Sequence, residues 1–417
     1  MIITRLKLVN LRAIAVAELK FQPGFNLIVG INGVGKTSVL DALAVCLSSV
    51  TKHINQIRGS VENFITDDIR IGSDALTVEC GIDLGGEEYT FLIHKPRVTS
   101  APRKKGTGRP REQVHSTPER AEYLGKIPLP LKGNSRSGRP LAVLFSTRRA
   151  VPSDRSPSKG VSAGGVNAAY SEAFANRELR LGEFASWMRV QQVLKADRPK
   201  SGRVLKAFEE AVRRFLPGYE NIRVESKTHP TLMIDRGKTT VAVRQLSDGE
   251  RGTLALVLDL TRRLSQANPG MADPAAEAEA VVMIDEIDLH LHPQWQRKIV
   301  QNLTEAFPKC QFIATTHSPQ IIGEVEHGRI QILTSKEVYS PTHSFGMDSS
   351  RVLQEVMDSP PRSEDVQKLL TNLSKLIASE KYQAAQRLVE RLSAEVGDND
   401  ADVTRARTLL EFLEGKE

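Results

Sequence analysis

Apolar residues along the chain fall into short continuous runs and longer runs of helical period, and the alternation of the two predicts a mixed α/β protein with a helical end. Leu141–Phe145, Val281–Ile284 and Phe312–Ala314 are continuous apolar stretches, and Phe25–Val29 is apolar except for Asn26, the pattern of strands buried on both faces. Residues 2 to 9 read as a further strand, and Leu76–Ile82 with Tyr89–Ile93 as a hairpin turning at Gly85-Gly86. Leu232–Asp235 and Thr239–Val243 flank Arg236-Gly237-Lys238 as a second hairpin. Helical spacing covers Thr37–Val50, then Asn167–Leu194, where Phe174, Leu181, Phe184, Trp187 and Met188 supply one apolar face. It returns in Arg203–Leu216, stopped by Pro217-Gly218, and in Arg251–Ser265. Beyond Leu333 the chain is mostly helical, with Ser363–Ala378, Lys381–Val396 and Asp400–Gly415 separated by Ser379-Glu380 and Gly397-Asp398-Asn399.

Chemistry sits at the joints between these elements. Residues 30 to 37, Gly-Ile-Asn-Gly-Val-Gly-Lys-Thr, join the strand ending at Val29 to the helix beginning at Thr37, which is the context a phosphate-binding loop requires. Glycine at 30, 33 and 35 lets the backbone curl so that N–H groups and the helix N-terminus face a phosphate. Asn32, Gly33, Val34, Gly35, Lys36, Thr37 and Ser38 are the expected nucleotide-binding residues: Lys36 for the β- and γ-phosphates, the Thr37 hydroxyl for Mg²⁺. The strand Val281–Ile284 runs into Asp285-Glu286. Asp285 is expected to hold Mg²⁺ and Glu286 to polarise the water that attacks the γ-phosphate of ATP. Leu246-Ser247-Asp248-Gly249-Glu250 precedes the amphipathic run from Arg251 and, taken alone, is also an ordinary helix cap.

These pieces, in this order, resemble the ABC-type ATPases. Leu246-Ser247-Asp248-Gly249-Glu250 is similar to their signature motif in the form used by the SMC and RecF branch. The resemblance implies that the signature of one head closes on nucleotide held by the phosphate loop of another, so hydrolysis implies a homodimer or a higher oligomer. It further implies that His317, in Ala-Thr-Thr-His-Ser-Pro, is the switch histidine contacting the γ-phosphate, and that Arg12 in Asn10-Leu11-Arg12 approaches the phosphates. SMC proteins carry a coiled-coil arm of hundreds of residues where this chain has only a short helical subdomain, about 167–220. The stretch Asp285 to Gln296, with Phe307-Pro308 before the His317 strand, resembles the defence-associated AAA ATPases of the Septu PtuA kind, also found beside some retrons. That resemblance implies an HNH nuclease partner, PtuB-like. The expected architecture is therefore an ABC-type P-loop ATPase head over residues 1–355, with a mixed β sublobe and a helical subdomain, followed by a helical tail over 356–417 for partner docking or self-association. Residues 376 to 385 have a tetratricopeptide flavour, but one incomplete unit defines no repeat array.

Charge changes the picture at one place. Residues 95–140 hold twelve Lys or Arg against three Glu, whereas the whole chain is only +7. The segment is rich in Pro, Gly and Ser and lacks strand or helical period, so it reads as a flexible insertion. It could bind DNA or retron RNA/DNA through phosphates, dock an acidic partner, or simply be a solvated linker; Tyr123 is its one aromatic for stacking. Ser146-Thr147-Arg148-Arg149, after the Leu141–Phe145 strand, ends in two arginines that could reach nucleotide, the opposite subunit or solvent. His290 and His292 raise a zinc reading against the simpler one of shaping the dimer seam.

The remaining composition bounds the class. At 40% hydrophobic and 26% charged residues, 417 residues can bury a sizeable core in two or three domains. No apolar run approaches the ~20 residues a membrane span needs, and Arg5 and Lys7 interrupt the short apolar start; a cytoplasmic location without membrane association is expected. Cys46, Cys80 and Cys310 are widely separated and read as core residues. The helices after Leu333 offer neither the acidic α/β site of a Toprim nuclease nor an HNH pattern, so cutting is expected from another chain. The function expected is a slow ATPase regulating a nuclease in phage defence; the other readings are a RecF-like repair ATPase acting directly on DNA and an ATP-clamped scaffold with little turnover.

Overall fold

The computed structural model describes residues 1–55, 61–97, 120–124, 138–150, 165–176, 178–196, 199–226, 230–413 and 415. Two compact units divide it, Met1–Asp348 and Ser349–Glu417.

The first unit opens with β1 (Ile2–Leu11) and β2 (Ile14–Lys20), an antiparallel hairpin in which Leu6 faces Leu19 and Leu11 faces Ile14. No strand was expected at 14–20, because the turn is made by Arg12-Ala13 without Gly or Asn. Arg12 itself takes the left-handed φ of 48°, a conformation that sequence reading assigns to glycine first. After β3 (Phe25–Val29) and α1 (Lys36–Asn55), β4 (Ala75–Leu84) and β5 (Glu87–Pro96) form the expected hairpin around Gly85-Gly86. β6 (Arg120–Leu124) then pairs with β5, giving an antiparallel sheet of order β2-β1-β4-β5-β6. Part of the basic insertion is thus a strand, contrary to its reading as one continuous loop: β5 leaves an edge that residues 120–124 complete. Of its other residues, 98–119 and 125–137 lie outside the described ones, as do 151–164 of the second predicted loop.

β7 (Leu141–Phe145) is followed by α2 (Val166–Tyr170), α3 (Leu181–Leu194) and α4 (Pro199–Phe215). The single helix expected over 167–194 is broken. At the end of α2 and beyond it the backbone serves other partners: Ala173 O accepts from Leu144 N at 2.8 Å, and Arg263 donates to Ala169 O at 2.6 Å and Ser171 O at 3.1 Å. Phe184 and Trp187 of α3 meet the Phe208 ring of α4 edge-on, at centroid distances of 4.9 and 5.6 Å, a favoured aromatic geometry. β8 (Tyr219–Ser226), β9 (Pro230–Arg236) and β10 (Thr239–Ala242) make a three-stranded antiparallel sheet leading into α5 (Asp248–Ala267).

The remaining elements of this unit are α6 (Pro274–Glu277), β11 (Ala280–Ile284), α7 (Pro293–Ala306), β12 (Cys310–Thr316), α8 (Pro319–Ile322), β13 (Ile330–Leu333) and β14 (Val338–Tyr339). They complete a sheet of order β14-β13-β3-β12-β11-β7, parallel from β13 to β7. Val29 pairs with Thr316, Ala314 with Ile284, and Ile284 with Phe145. This register brings the phosphate loop, Asp285-Glu286, His317 and Ser146 to the same carboxyl edge of the sheet, where α/β folds place ligands. Helix α1 fills the space between the two large sheets: Val39, Leu43 and Leu47 share a core with Leu6, Leu8 and Val78 on one side and Ile28, Met283 and Ile313 on the other. Among the described residues, no helix is long and apolar enough to cross a membrane. Cys46, Cys80 and Cys310 are all buried free thiols, and the hydrogen bond with Cys80 together with burial pushes the Cys46 thiol up.

The second unit comprises α9 (Ser349–Glu355), α10 (Glu364–Ala378), α11 (Tyr382–Val396) and α12 (Ala401–Leu413). Leu373, Val389, Leu392, Val403 and Leu410 form its core, and Arg362 pins both Asp400 oxygens at 3.0 Å. Gly397, at φ 96°, ends α11 as the sequence predicted.

Candidate nucleotide site

Between β3 and α1 the loop turns on Gly33 at φ 80° and Gly35 at φ 112°, values that residues with a Cβ rarely adopt. Gly30 is needed for space instead, since a Cβ there would lie 2.4 Å from Leu333 O. Asn32 and Gly33 are exposed at the loop crest, while Val34 packs inward. Lys36 is buried, its Nζ donating to Gly30 O at 2.8 Å and Ile31 O at 3.0 Å. Burial lowers its pKa, opposed by Asp285, Glu286 and Asp288. Three carboxylates therefore face this one ammonium across the sheet edge.

Arg12 lies against the first turns of α1. Its Nε donates to Asp68 Oδ1 at 2.9 Å, and Nη1 to Asp41 Oδ2 at 2.5 Å and Ser38 Oγ at 3.3 Å. Burial works against the charge, but hydrogen bonds to Asp41 and Asp68 leave its pKa raised. The guanidinium is thus already held beside the loop helix by two acids.

Across the loop, Thr37 Oγ1 donates to Asp285 Oδ2 at 3.0 Å, and Thr315 Oγ1 donates to Asp285 Oδ1 at 2.7 Å. Glu286 has a left-handed φ of 48° and donates its backbone N–H to Thr315 Oγ1 at 2.7 Å. Two residues further on, Asp288 Oδ1 accepts from Thr316 Oγ1 at 2.5 Å and His317 N at 3.3 Å. Burial and the neighbouring Lys36 charge lower the His317 pKa, so its ring is neutral at pH 7. Arg149 does not extend toward solvent or a second chain: it is 6% exposed and donates to Ser146 O at 3.0 Å, to Asp285 O, and to Glu286 O at 2.6 Å. Arg148 is the exposed member of that pair.

Leu246 is buried and anchors the signature segment, whereas Ser247 and Asp248 are exposed. Ser247 caps α5, and its N–H and Oγ donate to Glu250 Oε2 at 2.9 and 2.8 Å. Tyr219 OH donates to the other oxygen of Glu250 at 3.0 Å. Burial raises the Glu250 pKa, but the bonds from Ser247 and Tyr219 outweigh it and hold the carboxyl below its usual range. Gly249 packs on the turn after Glu286, where a Cβ would lie 2.2 Å from His290 O. His290 has φ 61°, and His292 Nδ1 accepts from Gln294 N at 3.3 Å as the cap of α7. Both histidines thus lie in the turn that leads into α7. Among the described residues, the hydrogen bonds of Ser247 side-chain and amide donors run to Glu250 rather than to the loop of the same chain.

The donors fit Mg²⁺. Thr37 Oγ1 and Asp285 Oδ2 are hard oxygens already in contact at the carboxyl edge, and Mg²⁺ is held by one or two such oxygens together with phosphates and waters.

Parts of the chain are similar to known proteins. Residues 5–126 match a model described as "AAA domain", and residues 167–323 one described as "AAA domain, putative AbiEii toxin, Type IV TA system". The "Retron Ec83 probable ATPase" of Escherichia coli is 36% identical over 217 residues, 51% of this chain and 40% of that protein. "Septu protein PtuA" of Bacillus mycoides is 25% identical over 312 residues, 75% of this chain and 36% of that protein. Over these stretches the chain is similar to proteins named as a retron ATPase and Septu PtuA. It spans about two fifths or less of the length of those two. In fold, the crystal structure of an SMC head bound to the C-winged helix domain of ScpA superposes with a TM-score of 0.50 at 16% identity, covering 82% of this chain and 97% of that one. The first part of the chain accordingly shares the fold of an SMC head.

Thr315, Asp288 and the inward role of Arg149 escaped the sequence reading. A signal existed for the first: two threonines precede His317, and the parallel pairing of β11 with β12 sets the end of one strand beside the other. Nothing in the sequence tells which strand neighbours β11 on its other side, so the inward turn of Arg149 had no comparable signal.

Proposed function

We propose that this chain binds and hydrolyses MgATP, that two heads join through the nucleotide, and that the cycle regulates an associated HNH nuclease in antiphage defence. The reading rests most on the hydrogen bond of 3.0 Å between Thr37 of the phosphate loop and Asp285 of the neighbouring strand edge. It joins the two motifs that phosphoryl transfer needs, one for the phosphates and one for the metal. In this reading the loop N–H groups and Lys36 hold the β- and γ-phosphates, with Arg12 steadying the helix that carries Ser38. Glu286 takes a proton from water as that water attacks the γ-phosphorus, and the bond from phosphorus to the bridging oxygen breaks, leaving ADP. His317, neutral at pH 7, donates a hydrogen bond to the γ-phosphate. Mg²⁺, when bound, offsets phosphate charge. The exposed Ser247 at the N-terminus of α5 is suited to an anion offered by a second chain. Similarity to proteins named as retron ATPases and Septu PtuA supports the defence context.

Phosphate release by wild type and Glu286→Gln tests the chemistry. Loss of turnover by about a hundredfold or more, with ATP still bound, is expected when a general base is removed. ATP-dependent dimers in light scattering of Glu286→Gln are expected as well. Equal turnover in the two proteins would remove Glu286 from its role, and negligible wild-type turnover with ATP bound would favour the scaffold reading. Affinity purification from the native cell tests the partner: an HNH nuclease should co-elute, and bound DNA without a nuclease would favour the repair ATPase.

A further inference from the structure

Arg149 is a buried cation whose partners are backbone carbonyls. Its guanidinium donates to Asp285 O and Glu286 O, one after the other, and to Ser146 O at the end of its own strand. A planar fork that spans two successive carbonyls fixes the plane of both peptides, which a single-point donor cannot do. Those two peptides flank a left-handed residue, since Glu286 sits at φ 48°. A non-glycine residue there is strained and stays only where its surroundings hold it. Thr315 Oγ1 holds the Glu286 N–H and Arg149 holds its carbonyl, so the residue is gripped on both sides. Arg149 also lines a small pocket with Gly252 and Thr253 of α5, the helix that begins after Ser247, and with Leu289 and Leu291 of the turn. Desolvation lowers its pKa to about 10 while Asp285, Asp288 and Glu286 oppose the fall, so it remains charged at neutral pH.

We infer that Arg149 is a positioning residue for ATP hydrolysis: by clamping the carbonyls of Asp285 and Glu286 it sets the direction in which the Glu286 carboxylate points, and it ties that direction to the helix carrying the signature serine. The inference rests on the hydrolytic role proposed for Glu286. It concerns kcat rather than nucleotide capture, because the loop, Lys36 and Thr37 make no contact with the guanidinium among the described hydrogen bonds.

Steady-state turnover and binding of a fluorescent ATP analogue, measured on full-length Arg149→Lys and Arg149→Ala, test it. Expected for Arg149→Ala are a fall in kcat of at least about tenfold and a dissociation constant within about twofold of wild type. Millimolar guanidinium should restore part of the lost turnover in Arg149→Ala. Arg149→Lys should stay impaired, because an ammonium cannot bridge both carbonyls in one plane. Wild-type kcat in the lysine variant overturns the inference, as does loss of binding and turnover together without guanidinium rescue. Should the alanine variant fail to fold, the lysine variant decides. Amide hydrogen exchange over 285–287 gives a readout independent of turnover: it should quicken in Arg149→Lys, and unchanged exchange overturns the inference. Failure of the hydrolytic reading itself is recognised separately, by wild type and Glu286→Gln releasing phosphate equally.

Discussion

Thr315 donates its hydroxyl to Asp285 Oδ1 at 2.7 Å while accepting the Glu286 N–H at the same distance. One fully buried side chain therefore positions both acids, one through its carboxylate and the other through its backbone. Thr315→Val keeps the shape but leaves a buried N–H without an acceptor. A destabilisation of about 1–3 kcal/mol in denaturant melts is expected, with turnover reduced by about tenfold or more as the acid pair loses its anchor. Thr315→Ser, which keeps the hydroxyl, should recover most of both; a serine variant as impaired as valine would show that the methyl, not the hydroxyl, matters.

His317 gives a pH signature. Its folded pKa is lowered by burial and by the Lys36 charge, so between the ordinary histidine value of about 6.5 and the lower folded value the unfolded chain binds the extra proton. Stability attributable to this group is therefore complete above about 6.5 and declines as pH falls through the folded pKa. His317→Asn should flatten that acid-side decline in melting temperature. Wild-type turnover should persist to lower pH than an unshifted histidine would allow, because the neutral ring is retained. An activity profile that falls at the ordinary histidine pKa would contradict the lowered value.

Legibility in the sequence followed distance along the chain. The phosphate loop and the acid pair are local patterns at strand ends, and each stands at the carboxyl edge of the sheet because parallel pairing aligns Val29, Ile284 and Thr316. The hairpin at Gly85-Gly86 was equally plain, its turn residues being glycine with φ 71° and 95°. Where a distant partner decides, the reading failed. Helix 167–194 has apolar spacing throughout, yet Leu144 and Arg263 recruit the backbone of 169–173 and break it. β2 was hidden by a turn whose left-handed residue is an arginine, and Arg149 by the absence of any sequence cue to the strand beside it. Ser247 meets the expectation of an ordinary helix cap, and Glu250 completes a capping box that was not foreseen, so the exposure of Ser247 is what leaves it open to an anion.

Arg263 illustrates how the helical subdomain is tied to α5. It is 1% exposed, its Nε donates to Asp259 Oδ2 at 2.7 Å, and it serves two carbonyls of the α2 end. Burial opposes the Asp259 charge, but Arg263 and Arg262 hold its carboxyl far below the usual range. Arg263→Ala would strand a buried carboxylate with one partner and leave two carbonyls unpaired. A loss of about 3–5 kcal/mol is expected in chemical denaturation, and acid should partly relieve it by protonating Asp259. Asp259→Asn in the same background should recover stability; additive losses in that double variant would mean the two residues do not act as a pair.

Ser247 and Lys36 provide the sharpest test of nucleotide shared between chains. Ser247 is exposed, and its donors are committed to Glu250 within its own chain, whereas Lys36 is buried in the phosphate loop. If one head's loop works with the other's signature, Lys36→Ala and Ser247→Arg damage different halves of each composite site, and each variant alone is inactive. A mixed dimer then holds one undamaged site, built from the loop of the Ser247→Arg chain and the signature of the Lys36→Ala chain. Random pairing should return up to about a quarter of wild-type turnover, half the dimers carrying one site of two, as a two-fold interface requires. The Ser247→Arg protein alone should still bind a fluorescent ATP analogue, since its loop is untouched. Turnover that stays at background in the mixture, with both variants folded and dimers present, would mean that loop and signature do not meet across two chains.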